Sequence, residues 1–250
     1  MNSKQVLSPE QIRHFRQTGH LTVPDLLDVQ TTDTAIEDIA NWSSEFLQTL
    51  SPEEQRWYLE QSSGEQPQLR KLDNPVYHRK VFRELAANNS LVEMVEQLIG
   101  RGVSVFFSQV FMKLPQVGGE KPIHQDNFYF SPDDPDAILT AWIALDDATT
   151  ENGCLYYSNV HQSQVEQHEA PEGEPYNLQI SATISNQFEM LPAPVPRGGV
   201  SFHHGNTPHQ SSANRSTRPR RAAALHYMRN DNRLIKPALD FDSGVNVKVT

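Results

Sequence analysis

The tightest constraint on the fold is a change of period near residue 103. Beyond it, VSVFFSQVFMKL, ILTAWIAL and RRAAALHYM crowd β-branched, aromatic and aliphatic residues into short runs, which read as barrel strands. Before it the signals are helical. In LSPEQIRHF, Ser8 is an N-cap, Pro9 suits the first turn and Gln11 completes a capping box, with Gly19 as the stop before a short strand HLTVP. SPEEQRWYL repeats the device at Ser51, Pro52 and Glu54. NPVYHRKVFRELAANN and SLVEMVEQLIG carry apolar residues at three-and-four spacing, the second ending at Gly100. The polar, proline-rich and acidic stretch 162–196 reads as a long loop or lid. The expected architecture is an open β-barrel or double-sheet jelly roll over residues 101–235, with helices of residues 1–100 buttressing its outer face.

A chain of 250 residues lies within the range of one large domain. Apolar content is 37%, but 11 Phe, 7 Tyr and 3 Trp are enough to fill a barrel interior. The 31 acidic residues exceed the 21 basic ones, which argues against a nucleic-acid partner. The single cysteine, Cys154, forms no intramolecular disulfide and reads as a packed residue of a reducing compartment. No apolar run approaches membrane-spanning length and the N-terminus has no apolar leader core, so the expectation is a cytoplasmic protein with no membrane partner. Oligomeric state is not legible.

Chemistry concentrates in KLPQVGGEKPIHQDNFYF. Residues two apart on an extended strand project from one face, so His124 and Asp126 are expected to converge on one point and to hold a metal. The bland reading is a surface turn with a hydrogen-bonded Asp–His pair. A third ligand is available from His203, His204 or His209 in GGVSFHHGNTPHQSSANRSTRPRRAAALHYM, and spacing does not choose among them. Two histidines and one carboxylate leave three positions open on Fe(II), room for a bidentate cosubstrate and dioxygen. A dicarboxylate such as 2-oxoglutarate also needs a rigid cation for its far end, and Arg215, Arg218, Arg220 and Arg221 follow closely. Adjacent strand residues face opposite ways, so only one of Arg220 and Arg221 looks inward.

PIHQDNF, AWIALDDATTENGCLYYSNVH and PHQSSANRSTRPRRA together resemble the phytanoyl-CoA dioxygenase family of Fe(II)- and 2-oxoglutarate-dependent oxygenases, in an order of elements running roughly over residues 10 to 230. The resemblance implies a mainly β fold with flanking α-helices and a double-stranded β-helix (jelly-roll, cupin-like) core. The family's distal motif, His-Gly-Ser-Gly-x-Asn followed by an arginine eleven residues after the histidine, is matched by His209 to Asn214 and by Arg220. By that likeness His209 is the third ligand, Arg220 binds the far carboxylate of 2-oxoglutarate and Ser211 assists it. Gln210 and Ser212 stand where the family has glycine, and Ser158-Asn159-Val160-His161 stands in place of its Pro-Gly-Ser-His turn. The intact Asp126 favours hydroxylation over halogenation.

Other expectations are local. His203 and His204 read as a strand-end pair, one buried and one exposed, and Arg215 and Arg218 as solvated surface. Phe107, Trp142, Tyr129 and Phe130 read as barrel core, with Tyr129, Phe130 and Trp142 as candidate borders of the substrate. Gln109 and Lys113 share a strand face, and by family likeness lie near 2-oxoglutarate. Asn152-Gly153 reads as a tight turn. The resulting function is oxidation of a C–H bond in a small, polar metabolite rather than a fatty acyl thioester, with release of succinate and carbon dioxide. The competing reading is a jelly-roll metal protein acting as a non-oxidative isomerase or small-ligand binder.

Overall fold

A computed structural model describes residues 6–60, 68–160, 163–170 and 177–250. The chain opens with α1 (Pro9–Thr18), β1 (His20–Val23), α2 (Val29–Leu47) and α3 (Pro52–Tyr58). Then come β2 (Lys71–Asp73), α4 (Pro75–His78), α5 (Lys80–Ala86) and α6 (Asn89–Ile99). Both expected capping boxes form, at Ser8 with Gln11 and at Ser51 with Glu54, and Gly19 closes α1 in the left-handed region at φ 76°. The single helix expected over NPVYHRKVFRELAANN is instead broken. Arg79 adopts an extended backbone between α4 and α5 while its guanidinium grips Asp38 of α2 through bonds of 2.9 and 2.7 Å. The helical pattern runs straight across that point, and the tertiary pairing accompanies the interruption.

The strands that follow are β3 (Val103–Lys113), β4 (Lys121–His124), β5 (Ile138–Ala144), β6 (Leu155–Ser158), β7 (His168–Glu169) and β8 (Gln179–Ile180), with the short helix α7 (Asp126–Phe130) after β4. After the helical turn α8 (Ala182–Ser185) come β9 (Met190–Ala193), β10 (Val200–His204), β11 (His209–Ser211), β12 (Arg220–Arg229) and β13 (Val247–Lys248). All pairings are antiparallel. The large sheet runs β1-β10-β5-β12-β3-β13, with β2 also on β3, and the small sheet runs β4-β11-β6-β9. Two antiparallel sheets with helices on one outer face make the jelly-roll architecture. Among the described residues no helix is long and apolar enough to cross a membrane.

Within the stretch 162–196, the described residues carry more regular structure than a long loop or lid. They include β7, β8, α8 and β9, and β9 completes the small sheet by pairing with β6. Pro192 is tolerated there because β9 is an edge strand.

Both faces of the large sheet are covered, which is why its strands read as continuous apolar runs rather than clean alternation. On the outer face Leu139, Ala141 and Ile143 of β5, Phe202 of β10, and Ala223, Leu225 and Tyr227 of β12 pack against the helices. The inner face of β12 carries Arg220, Ala222, Ala224 and His226, and that of β5 carries Thr140, Trp142 and Ala144. Ala222 and Ala224 are small and fully enclosed, so the middle of the sheet leaves room for a cavity between two polar ends. A bulge in β3 adjusts the register. His226 pairs with Phe107 and Tyr227 with Val105, leaving Phe106 as the extra residue. As a result Phe107, Gln109, Phe111 and Lys113 all belong to the cavity wall.

Candidate active site

His124 and Asp126 meet, but not as two residues of one strand. β4 ends at His124, Gln125 is extended, and Asp126 is the first residue of α7. The strand-to-helix corner, not strand alternation, brings the pair together. Gln125 pins that corner while fully buried. Its side chain donates to the Asn206 and Gln164 carbonyls at 2.7 and 2.9 Å and accepts from the Glu166 amide, and its own amide donates to His168 Nε2 at 3.0 Å. Asn127 donates to Asn206 Oδ1 at 2.8 Å. These contacts were not foreseen from sequence; the only available sign was that polar residues flank the dyad on both sides.

His209, at the start of β11, lies directly opposite His124 of β4, so the sheet register itself faces the two rings. Their centroids are 4.2 Å apart. Nδ1 of His124 donates to the Pro122 carbonyl at 2.8 Å and Nδ1 of His209 to the Thr207 carbonyl at 3.0 Å. A carbonyl only accepts, so both protons are fixed on Nδ1 and both Nε2 lone pairs are free. Each Nε2 lies 3.7 Å from Asp126 Oδ1, too far for a hydrogen bond. Ligating atoms of His124, Asp126 and His209 all fall within 4.8 Å of one another. Burial, reinforced by His209, holds the His124 imidazole well below its ordinary pKa, and burial with the neighbouring His203 pushes His209 down to about 4. Burial alone would raise the Asp126 carboxyl; His209, His203 and His226 around it hold it well below the usual carboxylate range. Two neutral imidazoles and one carboxylate, aimed at a common point without bonding one another, fit a divalent metal with nitrogen and oxygen preference.

The other carboxylate oxygen is anchored. Asp126 Oδ2 accepts from Thr140 Oγ1 at 2.6 Å and from His203 Nε2 at 3.0 Å. The Tyr157 hydroxyl lies 3.1 Å from His203 Nδ1 and 2.9 Å from Ser201 Oγ. Thus His203, expected to be a bystander, orients the carboxylate. The expectation that one of His203 and His204 is exposed also fails, since both are buried; with both sheet faces covered, His204 reaches Asp136 at 3.1 Å on the other side.

The cavity, of about 210 Å³, extends from this cluster to Arg220. Arg220 is fully buried, points inward, and has neither Nε nor Nη1 paired with any described residue. Its guanidinium lies 5.3 Å from the centre of the Trp142 ring, and burial pushes its pKa down to about 10, so it stays charged near neutrality. Arg221 faces the other way and pairs with Asp146 through two bonds of 2.8 Å, while Arg215 and Arg218 are exposed. A buried guanidinium with free N–H groups at one end of a cavity, and a metal-type cluster along the same cavity, fit a dicarboxylate that bridges them.

Ser211, Gln109, Lys113, Tyr129, Phe130 and Trp142 all line this cavity. Three of them are hydrogen-bonded elsewhere, Tyr129 through its hydroxyl to the Leu178 carbonyl at 2.9 Å. Gln109 donates to Asp73 Oδ1 at 2.7 Å. Lys113 Nζ donates to the carbonyls of Gly119 and Ser212 at 2.7 and 2.6 Å, and burial followed by the charge of Arg220 pushes its amine down to about 6. Its Nζ also lies 3.4 Å from the Ser211 carbonyl. Lys113 thus braces the chain after β11 through these carbonyls while lining the cavity. Gly153, at φ 93°, permits that brace: a Cβ there would sit 2.5 Å from the Ser212 carbonyl and 2.9 Å from Lys113 Cδ. Of the unusual turn Ser158-Asn159-Val160-His161, the last residue lies outside the described residues.

The fold and this cluster define a jelly-roll protein with a His-Asp-His site, and comparison with known proteins gives it a family. The chain belongs to the phytanoyl-CoA dioxygenase family, which it matches over residues 15–222. It is 33% identical over 158 residues to phytanoyl-CoA dioxygenase domain-containing protein 1 of Mus musculus, covering 60% of this chain and 54% of that protein. A probable alpha-ketoglutarate-dependent hypophosphite dioxygenase of Stutzerimonas stutzeri is 27% identical over 228 residues, 87% of this chain and 77% of that one. The chain spans about half the length of the first curated relatives it matches. Among solved structures, the non-heme alpha-ketoglutarate-dependent carbocyclase SnoK superposes with a TM-score of 0.74 at 22% identity, over 98% of this chain and 97% of that one, a likeness of fold.

Proposed function

We propose that the protein is an Fe(II)- and 2-oxoglutarate-dependent oxygenase that hydroxylates a C–H bond of a small, polar metabolite. One observation carries the reading. A single cavity is lined by two imidazoles with their tautomers fixed by carbonyls, a carboxylate converging with them, and a buried guanidinium whose Nε and Nη1 find no acceptor among the described residues. A buried cation without a partner is costly, and a carboxylate is the partner its planar fork matches.

When bound, ferrous iron and 2-oxoglutarate supply the oxidising power, the cosubstrate leaving as succinate and carbon dioxide. His124, Asp126 and His209 would hold the iron. Thr140 and His203 keep Asp126 from turning. Arg220, steadied over Trp142, takes the far carboxylate of the cosubstrate, with Ser211 on the facing wall. Phe107, Phe130 and Tyr129 keep water away from the reacting carbon. A non-oxidative isomerase or plain ligand binder does not require a dicarboxylate clamp, and succinate release separates the readings.

The test is anaerobic addition of Fe(II) and 2-oxoglutarate, read as the weak visible charge-transfer band of their complex. The wild type is expected to give the band and His209→Ala to lose it. Arg220→Ala is expected to need about tenfold more 2-oxoglutarate, with iron binding little changed. No band in the wild type, or an undiminished band in His209→Ala, defeats the proposal.

A further inference from the structure

His226, on the inner face of β12, was assigned no task by the sequence. Its Nδ1 lies 2.8 Å from Thr140 Oγ1, the same hydroxyl that lies 2.6 Å from Asp126 Oδ2. A hydroxyl has one proton and an ionised carboxylate has none, so Thr140 donates to Asp126 and must accept from His226. The proton of the neutral ring is therefore on Nδ1, and Nε2 is a bare lone pair. That atom is buried, and no described residue donates to it.

The ring borders the cavity, stacked on Phe107 at 5.4 Å and edge-on to Phe130 at 4.9 Å. Phe241 closes the same wall, 5.1 Å from Phe107 and 5.3 Å from Phe130. An acceptor set in a ring of hydrocarbon asks for a donor that is itself attached to hydrocarbon. A carboxylate or carbonyl brought to this spot would set lone pair against lone pair. Arg220 and Ser211 stand at the opposite end of the inner face, so this acceptor belongs to the substrate's part of the cavity.

We propose that His226 Nε2 accepts a hydrogen bond from the substrate, which is therefore a small molecule carrying an N–H or O–H group beside a hydrocarbon segment. The inference rests on the oxygenase reading and narrows it. A fatty acyl chain has no such donor along its length. The cavity, at about 210 Å³, also lies below the ~300–1,000 Å³ of ordinary ligand sites and must hold the cosubstrate as well, which limits the part of the substrate it encloses.

The experiment measures succinate released above the substrate-free rate with a panel of short-chain alcohols, primary amines and amino acids. Each is paired with its O-methyl or N-trimethyl counterpart, which has no donor. In the wild type, donor-bearing members are expected to outperform their counterparts by about tenfold, because a counterpart leaves the buried acceptor unmade. In His226→Phe that ratio is expected to fall to near unity with the Fe(II)–2-oxoglutarate band retained. His226→Gln, whose amide offers Thr140 a donor and the substrate an acceptor, is expected to regain part of it. If the phenylalanine variant loses the band, the glutamine variant carries the comparison.

The proposal is overturned if the preference keeps its wild-type size in His226→Phe, or in His226→Gln where the former lacks the band, if counterparts perform as well as donors in the wild type, or if no donor-bearing member stimulates. It is also overturned if both variants lose the band, which makes His226 only a support for Asp126. A wild type without the band strikes the oxygenase reading instead, so the two failures are distinguishable.

Discussion

Replacing Thr140 by valine tests how much of the metal site is made by a hydroxyl that never touches the metal. The Thr140 hydroxyl donates to Asp126 Oδ2 at 2.6 Å and is one of two groups that hold that oxygen, His203 being the other. Valine has nearly the same shape, so packing changes little. A hydrogen bond to a charged acceptor is worth about 1.5–3 kcal/mol, and taking about 2 kcal/mol gives roughly a 30-fold loss in the affinity that depends on it. That figure lies inside the ~10–100-fold typical of groups that orient metal ligands. The expected result is a rise of about that size in the Fe(II) concentration at half-maximal band intensity, with 2-oxoglutarate saturating. Thr140→Ser keeps the hydroxyl and is expected to stay within about threefold of the wild type, an allowance for the lost methyl packing. Iron affinity unchanged in the valine variant, or a serine variant as weak as the valine one, would refute the claim that the hydroxyl sets the carboxylate.

Two further outcomes follow from the same region. Gly153→Ala adds a Cβ against the Ser212 carbonyl at a positive φ, and is expected to cost about 1–3 kcal/mol of stability; an unaltered midpoint in thermal or urea unfolding would contradict the close approach. Arg221→Gln removes a partly exposed pair with Asp146 and is expected to cost about 1 kcal/mol or less while leaving the 2-oxoglutarate requirement as in the wild type; a raised requirement would transfer the cosubstrate role from Arg220 to its neighbour.

Helix starts and stops were legible because caps are local: Ser8, Gln11, Ser51, Glu54 and Gly19 act on atoms within a turn of themselves. Strands β1, β3, β5, β10 and β12 of the large sheet were legible as short runs, but not β2 and β13, nor the cover on both sides that buries His203 and His204 alike. The break at Arg79 was hidden because its partner, Asp38, is distant in sequence. At the site, the residue types facing the cavity were readable, while their bonding was not. Nothing in the order of residues says that Lys113 turns to two carbonyls, that His203 serves Asp126, or that Asp126 opens a helix. Those facts depend on register between strands far apart in the chain. The same register brings His209 opposite His124, a pairing that the family likeness implied and residue spacing left open.

The extra residue in β3 has a consequence for how variants of this protein tolerate length changes. Phe106 acts as a phase shifter: it lets the start of the strand present Val103 and Val105 to the helices while Phe107, Gln109, Phe111 and Lys113 look the other way. Deleting it would leave Val105 next to Phe107, which already face opposite ways and already oppose Tyr227 and His226, so plain alternation would keep both surfaces in place. A one-residue deletion at this point is therefore the one that β3 accommodates without inverting a surface, whereas a deletion elsewhere in the strand turns one half of it over.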